Sequence, residues 1–133
     1  MFADVGGSTP TQLAAHDQVY KRWILPRLKS GEVIVLVIER RGLGAVASGG
    51  IWFRPEQPRP RLPEDSVPYF FSMYTVPEFR RQGFARRIVR AAVRMARVRG
   101  FHRVVLHAAP KGRPLYRGLG FERTWEMRLD LPR

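Results

Sequence analysis

Between Tyr69 and Leu106 this sequence leaves few ways to fold. Tyr69-Phe70-Phe71-Ser72-Met73-Tyr74-Thr75-Val76 is a run of strand-forming residues, and Pro77 stops it. A helix is predicted from Gln82 to Arg99. It places Ala85, Ile88, Val89, Ala92, Met95 and Ala96 on one face and Arg86, Arg90, Arg94 and Arg97 on the other. Gly100 ends the helix, and Val104-Val105-Leu106 opens a further strand. A strand–helix–strand unit with a right-handed crossover sets its two strands parallel, as neighbours or near neighbours.

The remaining segments fit around that unit. Gln12 to Leu28 reads as a helix with Thr9 as N-cap and Pro10 at its first position, and Pro26 predicts a break or kink. Val33 to Ile38 is a β-branched run expected as a buried strand, and Ala45 to Phe53 returns beside it after a turn at Arg40–Gly44. Gly49-Gly50 within the return strand predicts a bulge or a close backbone approach. Arg54 to Pro68 carries five prolines (55, 58, 60, 63 and 68) and reads as a stiff surface loop, either an idle insertion or a wall over a substrate site. Pro114 opens a short helix, and Phe121 to Leu131 alternates Trp125, Met127, Leu129 and Leu131 as a closing strand. The predicted fold is thus one α/β (α+β) domain over residues 1–133: a mixed, mostly antiparallel sheet with a central parallel strand pair and flanking helices.

Bulk properties narrow the function. With no cysteine, thiolate metal sites and a cysteine nucleophile are excluded. No apolar run approaches the roughly 20 residues of a membrane helix, and the N-terminus carries no signal-peptide pattern, so a cytoplasmic location is expected. The formal net charge of +13, almost all of it from arginine, favours anionic partners: a phosphate-rich ligand, nucleic acid or acidic surfaces. An arginine-biased composition spread over solvated faces explains the same number without a partner.

The turn Arg80-Arg81-Gln82-Gly83-Phe84-Ala85 lies where a strand feeds the first turn of a helix. Backbone N–H groups there lack helical acceptors, and the helix dipole adds partial positive charge. Gly83 and Ala85 let an anion approach closely, while Arg80, Arg81 and Arg86 surround the point with full charges. Such a turn is suited to hold a pyrophosphate.

The pattern Arg-x-x-Gly-x-Ala from Arg80 to Ala85, after the strand end Val76-Pro77-Glu78-Phe79, resembles the acetyl-CoA pyrophosphate loop of the GNAT superfamily. Leu115-Tyr116-Arg117-Gly118-Leu119-Gly120-Phe121 is similar to that superfamily's second signature, a tyrosine followed by a Leu-Gly-Phe closure. The resemblance covers Tyr69 to Leu131 and extends loosely to Val33–Phe53. It implies an N-acetyltransferase that moves an acetyl group from acetyl-CoA to a primary amine, with acetyl-CoA as co-substrate and no metal. It further implies that the cofactor arm pairs with backbone groups of Tyr74 and Val76. The pyrophosphate would bind amides from Arg81 through Gln82, Gly83, Phe84 and Ala85 to Arg86, with Arg80 alongside, and Tyr116 would act as general acid on the departing thiolate. Tyr116 also has a purely structural reading, as a core aromatic.

For the general base, the strand Tyr69–Val76 offers no carboxylate, although many members of the superfamily place one there. His107 is the first candidate because imidazole titrates near neutrality. A structural histidine, Tyr69, Tyr74, Glu39 or ordered water are the other readings. Ala109 stands where many members carry an asparagine, and the chain is expected to lack the family's opening strand, leaving an edge that invites a homodimer. Two other functions stay open: a domain that binds CoA without catalysis, and a basic nucleic-acid-binding module using the Arg86–Arg97 stripe.

Overall fold

A computed structural model describes residues 10–132, so the Thr9 cap lies outside the described residues. Elements follow in the order α1 (Pro10–Ser30), β1 (Val33–Arg40), β2 (Gly44–Pro55), β3 (Ser66–Thr75), α2 (Phe84–Val98), β4 (Val105–Leu106) and α3 (Arg113–Gly118), with a 3₁₀ turn at Pro77–Phe79. The strands form one sheet ordered β1-β2-β3-β4, antiparallel except for the β3–β4 pair. The mixed sheet and the crossover through α2 are those expected from the sequence.

Periodicity explains the layer under the sheet. Phe84, Ile88, Val89, Ala92 and Ala96 of α2 are buried against Val46, Ala47, Ile51 and Phe70 of the sheet. Arg87, Arg90, Arg94 and Arg97 stay in solvent. Gly100, at φ 87°, closes α2 by passing its N–H to Arg97 O, while Phe101 N–H reaches Ala96 O; only glycine takes this left-handed turn without a Cβ penalty. On the opposite face, Trp23 of α1 meets Trp52 edge-on at 5.0 Å and Phe71 at 6.2 Å.

Pro26 does not break α1, which continues to Ser30. The proline removes one ladder bond, from its own position to Arg22 O, and the helix continues past it. The Arg27 guanidinium turns back to donate to Trp23 O at 2.8 Å and pairs with Glu32 at 2.7 Å. Nor is β1 fully buried. As the edge strand it hides Val33 but leaves Val35 and Val37 nearly half exposed.

The expected close approach at Gly49-Gly50 is present. The β2–β3 register shifts there, and a Cβ on Gly49 would run into Met73 Sδ and Ile88 Cγ2, while one on Gly50 would sit 2.7 Å from the Phe71 ring. Opposite the shift, β3 carries Ser72 and Met73 against Gly49, with Ser72 in the left-handed region at φ 53°. An extra residue of this kind bends a strand and increases its twist.

One other expectation changes, at the C-terminal arm, while the proline-rich loop keeps both its readings. The proline-rich loop borders a hollow formed with Phe101, His102, Arg103 and Val105, and none of the predicted site residues lines it. A 2.6 Å bond from His102 ties the loop down at Glu64 and holds that carboxyl below the usual carboxylate range. The predicted closing strand is not formed: residues 122–132 have no regular secondary structure and are exposed. Trp125 is 96% and Met127 93% exposed. Alternation sets which side each residue of such an arm presents, but a ladder also requires a neighbour in register. Among the described residues no helix is long and apolar enough to cross a membrane.

Candidate active site

The helix start behaves as its sequence requires. Arg81 (φ 65°) and Gly83 (φ 82°) both adopt the left-handed conformation, which turns successive N–H groups toward one concavity. The first bond of α2 runs from Arg87 N–H to Gly83 O at 3.0 Å. The N–H groups from Arg81 to Arg86 therefore precede the helical ladder and are available to an anion. They face a hollow of about 400 Å³ lined by Thr75, Phe79, Arg80, Arg81, Gly83, Phe84, Ala85, Arg86 and Leu115. A Cβ on Gly83 would meet open space.

The arginines around this hollow do not serve equally. Arg80 is committed to the fold: its Nε donates to Thr75 O at 2.9 Å and its guanidinium lies 5.7 Å from the Tyr74 ring centroid. Gln82 donates to Glu78 O at 3.3 Å, bracing the turn from outside. Arg81 is exposed, and Arg86 leans over α3, with Nη2 3.9 Å from the position of a Cβ on Gly118. Among the described residues Arg81 and Arg86 are free of such bonds, and Arg80 keeps its terminal guanidinium nitrogens at the edge of the hollow.

A gap opens beside this hollow because β3 and β4 pair over only two positions, Tyr69 with Val105 and Phe70 with Leu106. Beyond them the bend at Ser72–Met73 carries β3 away from β4. Which backbone groups face the gap follows from strand alternation. Val76 N–H donates to Val46 O at 2.8 Å, and Val76 O accepts from Phe79 N–H at 2.8 Å. Two residues earlier, Tyr74 pairs with Ser48 of β2 by the same parity. Tyr74 and Val76 thus direct their backbone groups to β2, against the expectation from the resemblance. Met73 and Thr75 face the gap instead. The parity was not readable from sequence because the bulge shifts it by one.

His107 immediately follows the last paired residue of β4, at the apex of the gap. Its Nδ1 lies 3.1 Å from Tyr69 Oη and its Nε2 2.9 Å from Glu126 Oε2. Tyr69 stacks on Phe71 at 6.2 Å and meets Trp52 edge-on, with the Arg54 guanidinium 5.1 Å from its centroid. Burial raises the Tyr69 hydroxyl above its ordinary value; Arg54 opposes the shift and Glu126 adds to it. Glu126 is absent from the sequence-level candidates. The signal that could have found it is alternation in the C-terminal arm, which turns Glu126 to the side opposite Trp125 and Met127.

Tyr116 lies on the α2 side of the sheet, packed with Phe70 and Val89 and edge-on to Phe121 at 5.8 Å. Its backbone is locked by the motif that follows it. Phe121 N–H donates to Tyr116 O and Gly120 N–H to Arg117 O, both at 3.0 Å, with Gly120 at φ 96°. This is a Schellman closure with its usual apolar contact, and it is the physical reason for a glycine and a phenylalanine after Leu119. Burial raises the Tyr116 hydroxyl above the ordinary phenol value. Among the described residues His107 and Tyr116 make no direct contact, and no three acidic or histidine side chains gather to hold a metal ion.

Comparison with known proteins bears on the fold and the family. The model of the acetyltransferase (GNAT) family matches residues 8–121. A GCN5-related N-acetyltransferase from Ralstonia eutropha JMP134 superposes with a TM-score of 0.87 at 32% identity, over 98% of this chain and 85% of its own. An acetyltransferase from Clostridium acetobutylicum, solved with acetyl-CoA, gives 0.84 at 26% identity, over 98% and 82%. A Trypanosoma brucei acetyltransferase gives 0.67 at 21% over 95% and 82%, a likeness of fold alone. No curated protein sequence matches significantly.

Proposed function

This chain belongs to the GNAT acetyltransferase family, and on that footing we propose that it transfers an acetyl group from acetyl-CoA to a primary amine by direct attack. The observation that carries the proposal is the cradle of unpaired N–H groups from Arg81 to Arg86, in a hollow that reaches the end of β3 at Thr75. Acetyl-CoA in the Clostridium relative supports the choice of ligand.

The residues divide the work as follows. The N–H groups of Arg81–Arg86 and the side chains of Arg81 and Arg86 hold the pyrophosphate. The backbone of Met73 and the N–H of Thr75, whose O already accepts from Arg80, guide the cofactor arm toward the apex, in place of Tyr74 and Val76. Alignment of amine and thioester is the main demand of such a reaction, since no covalent enzyme intermediate is needed. His107 at the apex takes the proton that the attacking amine must lose, and Tyr116, kept protonated by burial, gives one to the departing thiolate.

The test is release of free CoA from acetyl-CoA in the presence of a panel of primary amines, with amide formation confirmed by mass spectrometry. Amine-dependent release is expected. A protein that binds acetyl-CoA yet acetylates no amine is a CoA-binding domain without catalysis, and the reading falls.

The same structure favours a homodimer. β1 is an unpaired sheet edge among the described residues, and the arm exposes Trp125, Met127, Leu129 and Leu131. Pairing with a second copy satisfies both. Light scattering is expected to give twice the chain mass; a strict monomer at high concentration overturns the assembly.

A further inference from the structure

We propose that Tyr69, His107 and Glu126 form one proton-accepting relay at the apex of the gap. In it Tyr69 receives the proton from the amine, His107 holds it, and Glu126 is a positioning residue. The inference rests on the acetyltransferase reading and deepens it.

The hydrogen bonds fix the direction of transfer. A carboxylate only accepts, so the 2.9 Å contact with Glu126 requires a hydrogen on His107 Nε2. In the neutral ring Nδ1 is then the lone pair, and at 3.1 Å it accepts from the Tyr69 hydroxyl. That leaves the Tyr69 oxygen with its own lone pairs for an incoming N–H. As the amine bonds to the acetyl carbon, its proton passes to Tyr69 Oη while the Tyr69 proton passes to His107 Nδ1. The products of the step are a neutral phenol and an imidazolium paired with Glu126.

Each member is held for this task. Phe71 and Trp52 fix the Tyr69 ring. Burial keeps its hydroxyl from ionising in its own right, so Tyr69 conducts a proton without becoming a phenolate. The charged groups facing the relay are Arg54 from β2 and Glu126 from the arm. The side chains of His107 and Glu126 are 63% and 71% exposed, so the captured proton has a direct exit to water and the relay resets.

The position of Glu126 supports a specific role. Among the described residues, the one hydrogen bond joining residues 122–132 to the body of the protein is Glu126 to His107. Glu126 reaches His107, whereas Trp125 and Met127 on either side of it are almost fully exposed.

The experiment combines kinetics of the full chain with imidazole NMR of ¹⁵N-histidine-labelled protein. In the wild type, His107 is expected as the Nε2–H tautomer. Glu126→Gln supplies an amide donor, so the tautomer preference is expected to weaken or reverse. In kinetics, Tyr69→Phe should lower kcat by about 10²-fold, and Glu126→Gln by about tenfold to a hundredfold, both at unchanged acetyl-CoA affinity. His107→Gln should lower kcat at least as far as Tyr69→Phe, again at unchanged acetyl-CoA affinity. An active wild type matched in kcat by Glu126→Gln and Tyr69→Phe, with the His107 tautomer unmoved by Glu126→Gln, overturns the relay and leaves the acetyltransferase reading intact. A wild type that transfers acetyl to no amine overturns both.

Discussion

Acetyl-CoA binding is expected to vanish from the double variant Arg81→Glu, Gly83→Asp. The cradle has two components, a set of N–H groups without helical acceptors and the charges of Arg81 and Arg86. An aspartate at position 83 places a carboxylate where the cradle is open, since nothing in the protein fills the Cβ position. Aspartate also tolerates the left-handed backbone better than most residues, so the turn is expected to persist. The glutamate reverses the one exposed arginine of the turn that the fold does not already engage. Lost charge-assisted hydrogen bonds and new repulsion together should weaken binding by at least about 100-fold, close to 3 kcal/mol. Isothermal titration calorimetry reads this directly. A chain of net charge +13 attracts any polyanion, so the control is Arg90→Glu, Arg94→Gln, which changes the net charge equally on the exposed face of α2. Full affinity in the control and none in the cradle variant is the expected result; equal loss in both would mean diffuse attraction and no cradle.

The second large effect is on turnover. Tyr116→Phe is expected to lower kcat by about 10²- to 10³-fold while acetyl-CoA affinity stays as it is. The phenol is half-buried, its hydroxyl has no hydrogen-bond partner among the described residues, and burial raises it above its ordinary 10.0. The sign is favourable for an acid. A raised value keeps the hydroxyl protonated at neutral pH, so any loss of rate from its ionisation appears only above pH 10.0. Because phenylalanine keeps the edge-on contact with Phe121 and strands no buried partner, thermal stability should not fall. An unchanged kcat would reduce Tyr116 to a core aromatic.

What could be read in the chain and what could not divide along a physical line. Features governed by neighbours in sequence were legible. The period of α2, the glycine that ends it, the turn at Arg81–Gly83 and the closure after Tyr116 all follow from backbone preference and short-range hydrogen bonds. So does the parallel crossover, because the handedness of a strand–helix–strand unit leaves little choice. The crowding at Gly49-Gly50 was visible for a related reason, since two glycines in a strand signal missing space.

Features governed by partners distant in sequence were decided by tertiary structure. Arg80, read as a ligand for phosphate, also fastens the turn through its Nε to Thr75 O. The bulge at Ser72–Met73 exchanged Tyr74 and Val76 for Met73 and Thr75 at the gap. The arm that alternates like a strand has no neighbour to pair with in the described fold. Glu126 meets His107, and His107 meets Tyr69, across 19 and 38 residues of sequence. Local propensity sets which conformation each segment prefers. The register between segments, and hence which side chains and backbone groups converge, depends on packing and loop closure that no single segment encodes.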